Sequence, residues 1–435
     1  MIWGRFVEDP TFTVVESLHY ATENIPFSAV ALCDPEVYGP STVNITNILS
    51  LRGFKAKEIA DFYRSFTDVV DKNYTPELHV IKMHNVLEDL GLAYDDLSYQ
   101  LKKPCDVMLR ECLWRSKPVN CSMMFREVFT INGHCCQFDI NYFKQFAENG
   151  TNFNAGVEIT EAIDISVDTR KVHPNGTFGD GFVMLYIFDE MNTLSLLDSS
   201  IILTPSTYFD VTVDVWIIDS SSDVKALTLN SRKCFLEADG MHSSSYQHCV
   251  TSFILKKVVD YCRCLPFDLS RKLFEEDFPR CTWEKLLCVY QILAKVQGDI
   301  RTIVSANDCY QKCDYVQYET KAEYIREQRA LGGYGGLSRV TVHYANNICI
   351  KYRREVLYTW DQMLANLGGI FGLCLGGSII SLMELVWFLL DLITAVYHNI
   401  TKNKTGTKQV CRVKEKSGLQ DVKKSNDNIK YPFIH

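Results

Sequence analysis

Fifteen of the chain's 17 cysteines fall between Cys33 and Cys349, and no other feature narrows its possible folds as much. Cross-links close loops and decide which segments can be neighbours, and they persist only in an oxidising compartment. The competing reading is a metal-rich cytosolic protein, but the paired Cys-x-x-Cys spacing of zinc sites is absent. Cys262 and Cys264 form a Cys-x-Cys that fits two disulfide halves better than a metal site. The same region holds five Asn-x-Ser/Thr sequons. At Asn73 a following Thr75-Pro76 makes a poor acceptor, which leaves Asn44, Asn120, Asn149 and Asn175 as expected glycosylation sites. Sequons and clustered cysteines together point to an extracellular body.

From Gln362 to Met383 runs a stretch of 22 residues without charge. As a helix it is long enough for a hydrocarbon core of about 30 Å. Apolar character continues to Val396, interrupted by Glu384 and Asp391. Residues 401–435 then carry nine Lys or Arg against three acidic residues, so a total charge of −8 leaves −14 for the rest. Positive charge marks the cytoplasmic side, and an acidic body counts against nucleic acid as partner. The expected order is a stump (1–13), a cysteine-rich extracellular domain (14–357), a pore-lining membrane helix (358–398) and a basic cytoplasmic tail (399–435). The opening "MIWGRFVEDP" has neither a basic n-region nor an apolar h-region. Either the C-terminal helix inserts the whole body, or "MIWGRF" is the stump of a missing first crossing; the second is the expectation adopted.

Within the body, "NIPFSAVALCDPE" (24–36) reads as a strand, and residues 55–66 and 80–102 have helical periodicity. Residues 180–218 form a β-rich block, and Arg339–Tyr344 alternates as a strand. A helix is expected in the cysteine array from Cys234 to Cys313. The fold class is therefore α+β. Enzyme motifs are missing: no HExxH occurs among the ten His, and no G-x-S-x-G surrounds a serine. No catalytic residue, metal or cofactor is expected.

The apolar segment is not a plain anchor. On a helix, Ala365 and Gly376 differ by about 20°, with Gly369 and Gly372 within about 40° of the same line. Such a stripe of small residues suits close helix packing or a pore wall that exposes backbone carbonyls to ions. Glu384 within a membrane helix is costly and by default functional, and Asp391 lies about 20° off its line. Several copies around an axis would form rings of carboxylates on a cation path. The plainer alternative is that Glu384 bonds to a neighbouring helix and Asp391 sits at the interface.

"LANLGGIFGLCLGGSIISLMEL" (Leu364–Leu385) resembles the second membrane segment of the epithelial sodium channel/degenerin family, with its Gly-x-Ser hallmark and downstream carboxylate. "IPFSAVALC" (Ile25–Cys33) and "NGHCCQFD" (Asn132–Asp139) are similar to two further family motifs, and the Cys234–Cys313 array resembles its cysteine-rich thumb. The style is most like the insect pickpocket branch. The resemblance implies a sodium-selective, amiloride-sensitive channel subunit in the plasma membrane, gated by an extracellular ligand or by force. It would be a homo- or heterotrimer of hand-like subunits, each with a β-rich palm and helical finger and thumb. It makes Gly376, Gly377 and Ser378 the selectivity filter and Ala365 the degenerin position, where bulk obstructs closure. It pairs Cys33 with Cys135, Cys112 with Cys121, Cys234 with Cys313, Cys249 with Cys309, Cys262 with Cys288 and Cys264 with Cys281. Cys105, Cys136 and Cys349 stay unassigned. No cofactor is implied beyond the permeant sodium ion, and the extracellular ligand is left unspecified. Without a first membrane helix, a non-conducting single-pass regulatory subunit is the alternative.

Overall fold

The computed structural model describes residues 10–68, 74–130, 133–147, 150–154, 156–189, 199–239, 246–265, 278–306, 309–325, 337–376 and 379–405. The chain divides into two compact units, Met1–Leu357 and Tyr358–His435.

In the first unit the early strands are β1 (Thr11–Ala21), β2 (Ala29–Cys33), β3 (Leu109–Trp114), β4 (Lys117–Val119), β5 (Phe125–Thr130) and β6 (Gly133–Phe138). Next come β7 (Ile163–Val167), the short pair β8 (Lys171–Val172) and β9 (Phe178–Gly179), β10 (Val183–Phe188) and β11 (Ser200–Leu203). The last four are β12 (Tyr208–Ser220), β13 (Tyr315–Ile325), β14 (Ser338–Tyr344) and β15 (Ile348–Val356). The larger sheet has the order β1-β15-β12-β14-β7-β3-β4, with β13 also on β12, and the smaller is β11-β10-β2-β6-β5. β2 ("AVALC") and β7 ("IDISV") are buried along their whole length, as central strands covered on both faces must be. β12 alternates instead, with Phe209, Val211 and Val213 turned into the core.

The two sheets share one core. Phe27, two residues before β2, meets Trp114, Phe138 and Tyr344 edge to face at 6.0, 6.2 and 5.5 Å. Tyr344 then donates its hydroxyl to the carbonyl of Pro26 at 3.0 Å. This explains the "IPFSAVALC" stretch: its aromatic fills the space between the sheets, and its apolar run becomes the central strand β2.

A second core is helical. It joins α1 (Thr42–Leu51), α2 (Ala56–Asp68), α3 (Leu78–Asp89) and α4 (Tyr94–Gln100) to α5 (Tyr246–Cys262) and α6 (Trp283–Ala306). Ile59, Phe62, Val80, Met83 and Leu87 pack there with Val250, Ile254, Trp283 and Val289. His84 lies flat on Trp283, ring centroids 3.8 Å apart, and burial depresses its pKa to about 3. The helical periodicity read over 80–102 is two helices. Gly91, at φ +82, turns the chain between them, a conformation only glycine adopts freely.

Seven disulfides brace this unit. Six are the pairs the resemblance implies: Cys33–Cys135, Cys112–Cys121, Cys234–Cys313, Cys249–Cys309, Cys262–Cys288 and Cys264–Cys281. The seventh joins Cys105 to Cys136, and Cys349 is a buried free thiol. Strands β1, β3 to β9, β13 and β15 lie where no element was read from sequence. β1 begins at Thr11, inside the segment expected to be a stump, and pairs antiparallel with β15 from Thr11↔Val356 to Ala21↔Ile348.

Candidate functional site

The second unit holds α7 (Trp360–Leu375) and α8 (Ile379–Thr405). Thr359 caps α7, its N–H donating to Gln362 Oε1 at 3.3 Å. The single helix expected over 358–398 is therefore two. Gly376 ends α7 in the left-handed region, φ +63, with its N–H on the carbonyl of Gly372 at 3.1 Å. A Cβ placed on Gly376 would meet nothing within 4 Å, so the need for glycine there is conformational rather than steric. The break shortens each helix, and no helix among the described residues is long and apolar enough to cross a membrane.

The small-residue stripe survives only in part. Ala365, Gly369 and Gly372 share α7 and are covered by nothing in the single chain; a Cβ on Gly369 would also find open space. Gly376 leaves the helix, so its place on the stripe is lost. Glu384 and Asp391 both belong to the continuous α8, which keeps them within about 20° of one line. Both are exposed, as are Leu373 on α7 and Trp387 and Phe388 on α8. Because the helix is interrupted, Ala365 and Glu384 have no common helical phase. Gly377, Ser378 and the tail beyond Thr405 lie outside the described residues.

What joins this segment to the body in sequence is β15, followed by Leu357–Thr359. Sequence reasoning missed the fixture around that strand. At its end, Leu357 donates its backbone N–H to the carbonyl of Pro10 at 2.6 Å. Lys351 Nζ reaches Asp219 on β12 at 2.7 Å and Glu16 on β1 at 3.3 Å. The Asp219 carboxylate holds the Lys351 ammonium above its usual pKa. Arg353 adds Glu16 at 3.6 Å, and Arg354 Nε donates to Thr11 Oγ1 at 3.3 Å. The charge-dense "KYRRE" within β15 was the available signal.

The cysteine-rich helices are rooted at the same place. Cys234–Cys313 packs with Val224, and Leu236 and Val356 close against them. Ser220 Oγ donates to the Cys313 carbonyl at 2.7 Å, its N–H to Asp314 Oδ1 at 2.7 Å, and the Ser221 N–H to Arg354 O at 2.9 Å. Buried Arg232 ties the loop, donating to the carbonyls of Cys234 (2.9 Å) and Leu227 (2.6 Å) and pairing with Asp239. The two ends of the cysteine array are thereby bridged to each other and packed against the end of β15.

Of the sequons, Asn44 is exposed on α1. Asn120 and Asn175 are exposed in turns that their own side chains close, with Oδ1 accepting from the N–H of Ser122 (3.1 Å) and of Thr177 (3.1 Å). Asn149 lies outside the described residues.

The chain is thus a disulfide-braced α+β body that continues in sequence, through one strand, into an apolar helical segment broken at a glycine. The family model for the amiloride-sensitive sodium channel matches residues 1–388, and the chain belongs to that family, one of sodium channel proteins and not of enzymes. Pickpocket protein 11 of Drosophila melanogaster is 22% identical over 409 residues, which cover 88% of this chain and 65% of that protein. The sodium channel protein Nach of the same species is 23% identical over 423 residues, covering 87% of this chain and 76% of Nach. Pickpocket protein 28 is 18% identical over 345 residues, covering 66% and 56%. The chain thus spans just under two thirds of Pickpocket protein 11.

Proposed function

We propose that this chain is a subunit of a sodium-selective, amiloride-sensitive cation channel of the plasma membrane, assembled as a homo- or heterotrimer and gated by an extracellular ligand or by force. One observation carries the reading: α7 ends at Gly376 in the left-handed conformation, at the Gly-Gly-Ser of the segment. A helix C-terminus presents its last carbonyls unpaired and carries partial negative charge. Three such ends around an axis make an oxygen-lined constriction suited to a cation. Gly376, Gly377 and Ser378 form that constriction, and Glu384 and Asp391 add carboxylate rings on its inner side. Gly369 and Gly372 let the α7 helices approach closely. In this reading the two helices and the break together cross the bilayer, and the basic tail lies in the cytoplasm. Ala365 faces the gate, so a larger side chain there obstructs closing.

The test is current from the full chain, expressed alone and with a pickpocket subunit, compared with Ala365→Val. An amiloride-sensitive sodium current that rises in Ala365→Val supports the reading. Surface-expressed protein that passes no such current in either setting overturns it and leaves a non-conducting regulatory role.

A further inference from the structure

Two helices of the helical layer bring three unlike donors together at one edge. Asp61 is on α2 beside the buried Phe62, His79 is in the first turn of α3 beside the buried Val80, and Glu77 is the N-cap of α3. One donor atom from each lies within 4.8 Å of the other two.

The imidazole is the informative member. Its Nδ1 is 3.1 Å from Glu77 Oε2, within hydrogen-bond reach. Its Nε2 is shielded from solvent, has no hydrogen-bond partner, and faces Asp61 Oδ2 at 3.6 Å. That gap is too long for a hydrogen bond. It is close to the separation of about 3.3 Å between neighbouring donors on one tetrahedral ion with bonds of about 2.0–2.1 Å. With Nδ1–H given to Glu77, the lone pair sits on Nε2. A carboxylate that holds the far nitrogen of a ligating histidine is the usual support of such a ligand.

We propose that His79 Nε2 and Asp61 Oδ2 bind a divalent transition-metal ion of the zinc class, with Glu77 fixing the imidazole and water completing the coordination. A mixed nitrogen and oxygen set favours zinc-like ions over calcium or magnesium, which take oxygen. The local charge suits a cation. Arg64 Nη1 is 3.5 Å from the other oxygen of Asp61, which leaves Oδ2 free to ligate. Tyr74 reports the same field, its hydroxyl pushed above its ordinary pKa by burial and by the Asp68, Glu77 and Asp61 carboxylates. Access is open on one side: the Glu77 side chain is 73% exposed against 24% for Asp61 and 21% for His79. Bound metal would clamp the start of α3 to the middle of α2, and so brace one edge of the helical layer.

The experiment is calorimetric titration of the full chain, purified in detergent without a histidine tag, with zinc chloride at pH 7.5. Wild type is expected to bind one ion that His79→Ala does not bind. Asp61→Asn should bind it at least tenfold more weakly, and Glu77→Gln about 10–100-fold more weakly. Thermal unfolding without metal checks that each variant folds, and Asp61→Asn carries the test if His79→Ala does not. Zinc binding unchanged in both variants places the ion elsewhere and overturns the proposal. So does a wild type that binds none.

Discussion

The backbone N–H of Leu357 donates to the carbonyl of Pro10 at 2.6 Å and closes the β1–β15 ladder at the end from which the chain runs on to α7. Two segments almost 350 residues apart in sequence are thereby fixed to each other, and the root of the cysteine-rich helices packs against the same strand. The Cys234–Cys313 bridge, the Ser220 and Asp314 hydrogen bonds and the Ser221 main-chain bond to Arg354 link that root to β15.

The first prediction separates those kinds of link. The Cys234–Cys313 bridge closes a separation of 79 residues. Removing it with Cys234→Ser and Cys313→Ser together should cost about 4 kcal/mol. Lys351→Met, which removes ion pairs at the surface, should cost less than about 1 kcal/mol. Denaturant unfolding of the purified chain reads both. Equal losses would mean that the ionic contacts hold the root as firmly as the bridge does.

His84 predicts a pH dependence. Its ordinary pKa is 6.5 and burial against Trp283, Phe62 and Phe66 lowers it to about 3. Between those values the unfolded chain binds the proton and the folded one does not, so stability rises with pH across this window. Its share of the loss at pH 5 relative to pH 7 is about 2 kcal/mol. Asp34 acts in the opposite sense: burial raises it from 3.8 to about 6, so the folded state holds its proton more firmly, and stability falls as pH rises through that range. His84→Phe keeps an aromatic ring in the stack and should flatten the acid slope of the melting temperature. An unchanged slope would show that other groups carry it.

How much of this was legible in the sequence follows from where the physical signals are local. β2, β7 and β14 are buried and apolar; of these, the first and last were read as strands from sequence. β1 was invisible because it is an edge strand with Val15 and Leu18 exposed, and its partner β15 lies at the far end of the body. β13, "YVQYETKAEYI", is polar and, among the described residues, pairs with β12 alone, so its hydrophobic pattern is weak. In the candidate pore segment, the residue types were legible but the geometry was not. A helical wheel carries its phase through Gly376, whereas the chain uses that glycine to stop. Asp61, Glu77 and His79 are spread over two helices and have no motif spacing, so only the fold brings them together.

Gly39 tests packing of the body. A Cβ there would stand 2.2 Å from the Val172 carbonyl oxygen and 2.3 Å from the His173 carbonyl carbon, both backbone atoms that cannot swing aside. Gly39→Ala should destabilise by about 1–3 kcal/mol through overpacking. Gly53→Ala, at φ +89 with no atom within 4 Å of the added carbon, tests backbone strain alone and should cost about 1–2 kcal/mol. Their melting temperatures in the purified chain separate steric from conformational need.

The last prediction sets two glycines of the candidate pore against each other. Neither Gly369 nor Gly376 has any atom within 4 Å of an added Cβ in the single chain. Their backbones differ: Gly369 is inside α7, and Gly376 ends it at φ +63. Gly369→Ala should therefore raise helix stability by about 1 kcal/mol, while Gly376→Ala should cost about 1–2 kcal/mol at the break. Thermal unfolding of the two variants in detergent should move in opposite directions. Their currents carry a second reading. If the break forms the constriction, Gly376→Ala lowers the sodium-to-potassium permeability ratio. Gly369→Ala, by adding bulk where neighbouring helices approach, reduces current without changing that ratio. Loss of selectivity in Gly369→Ala alone would move the constriction up α7, away from Gly376.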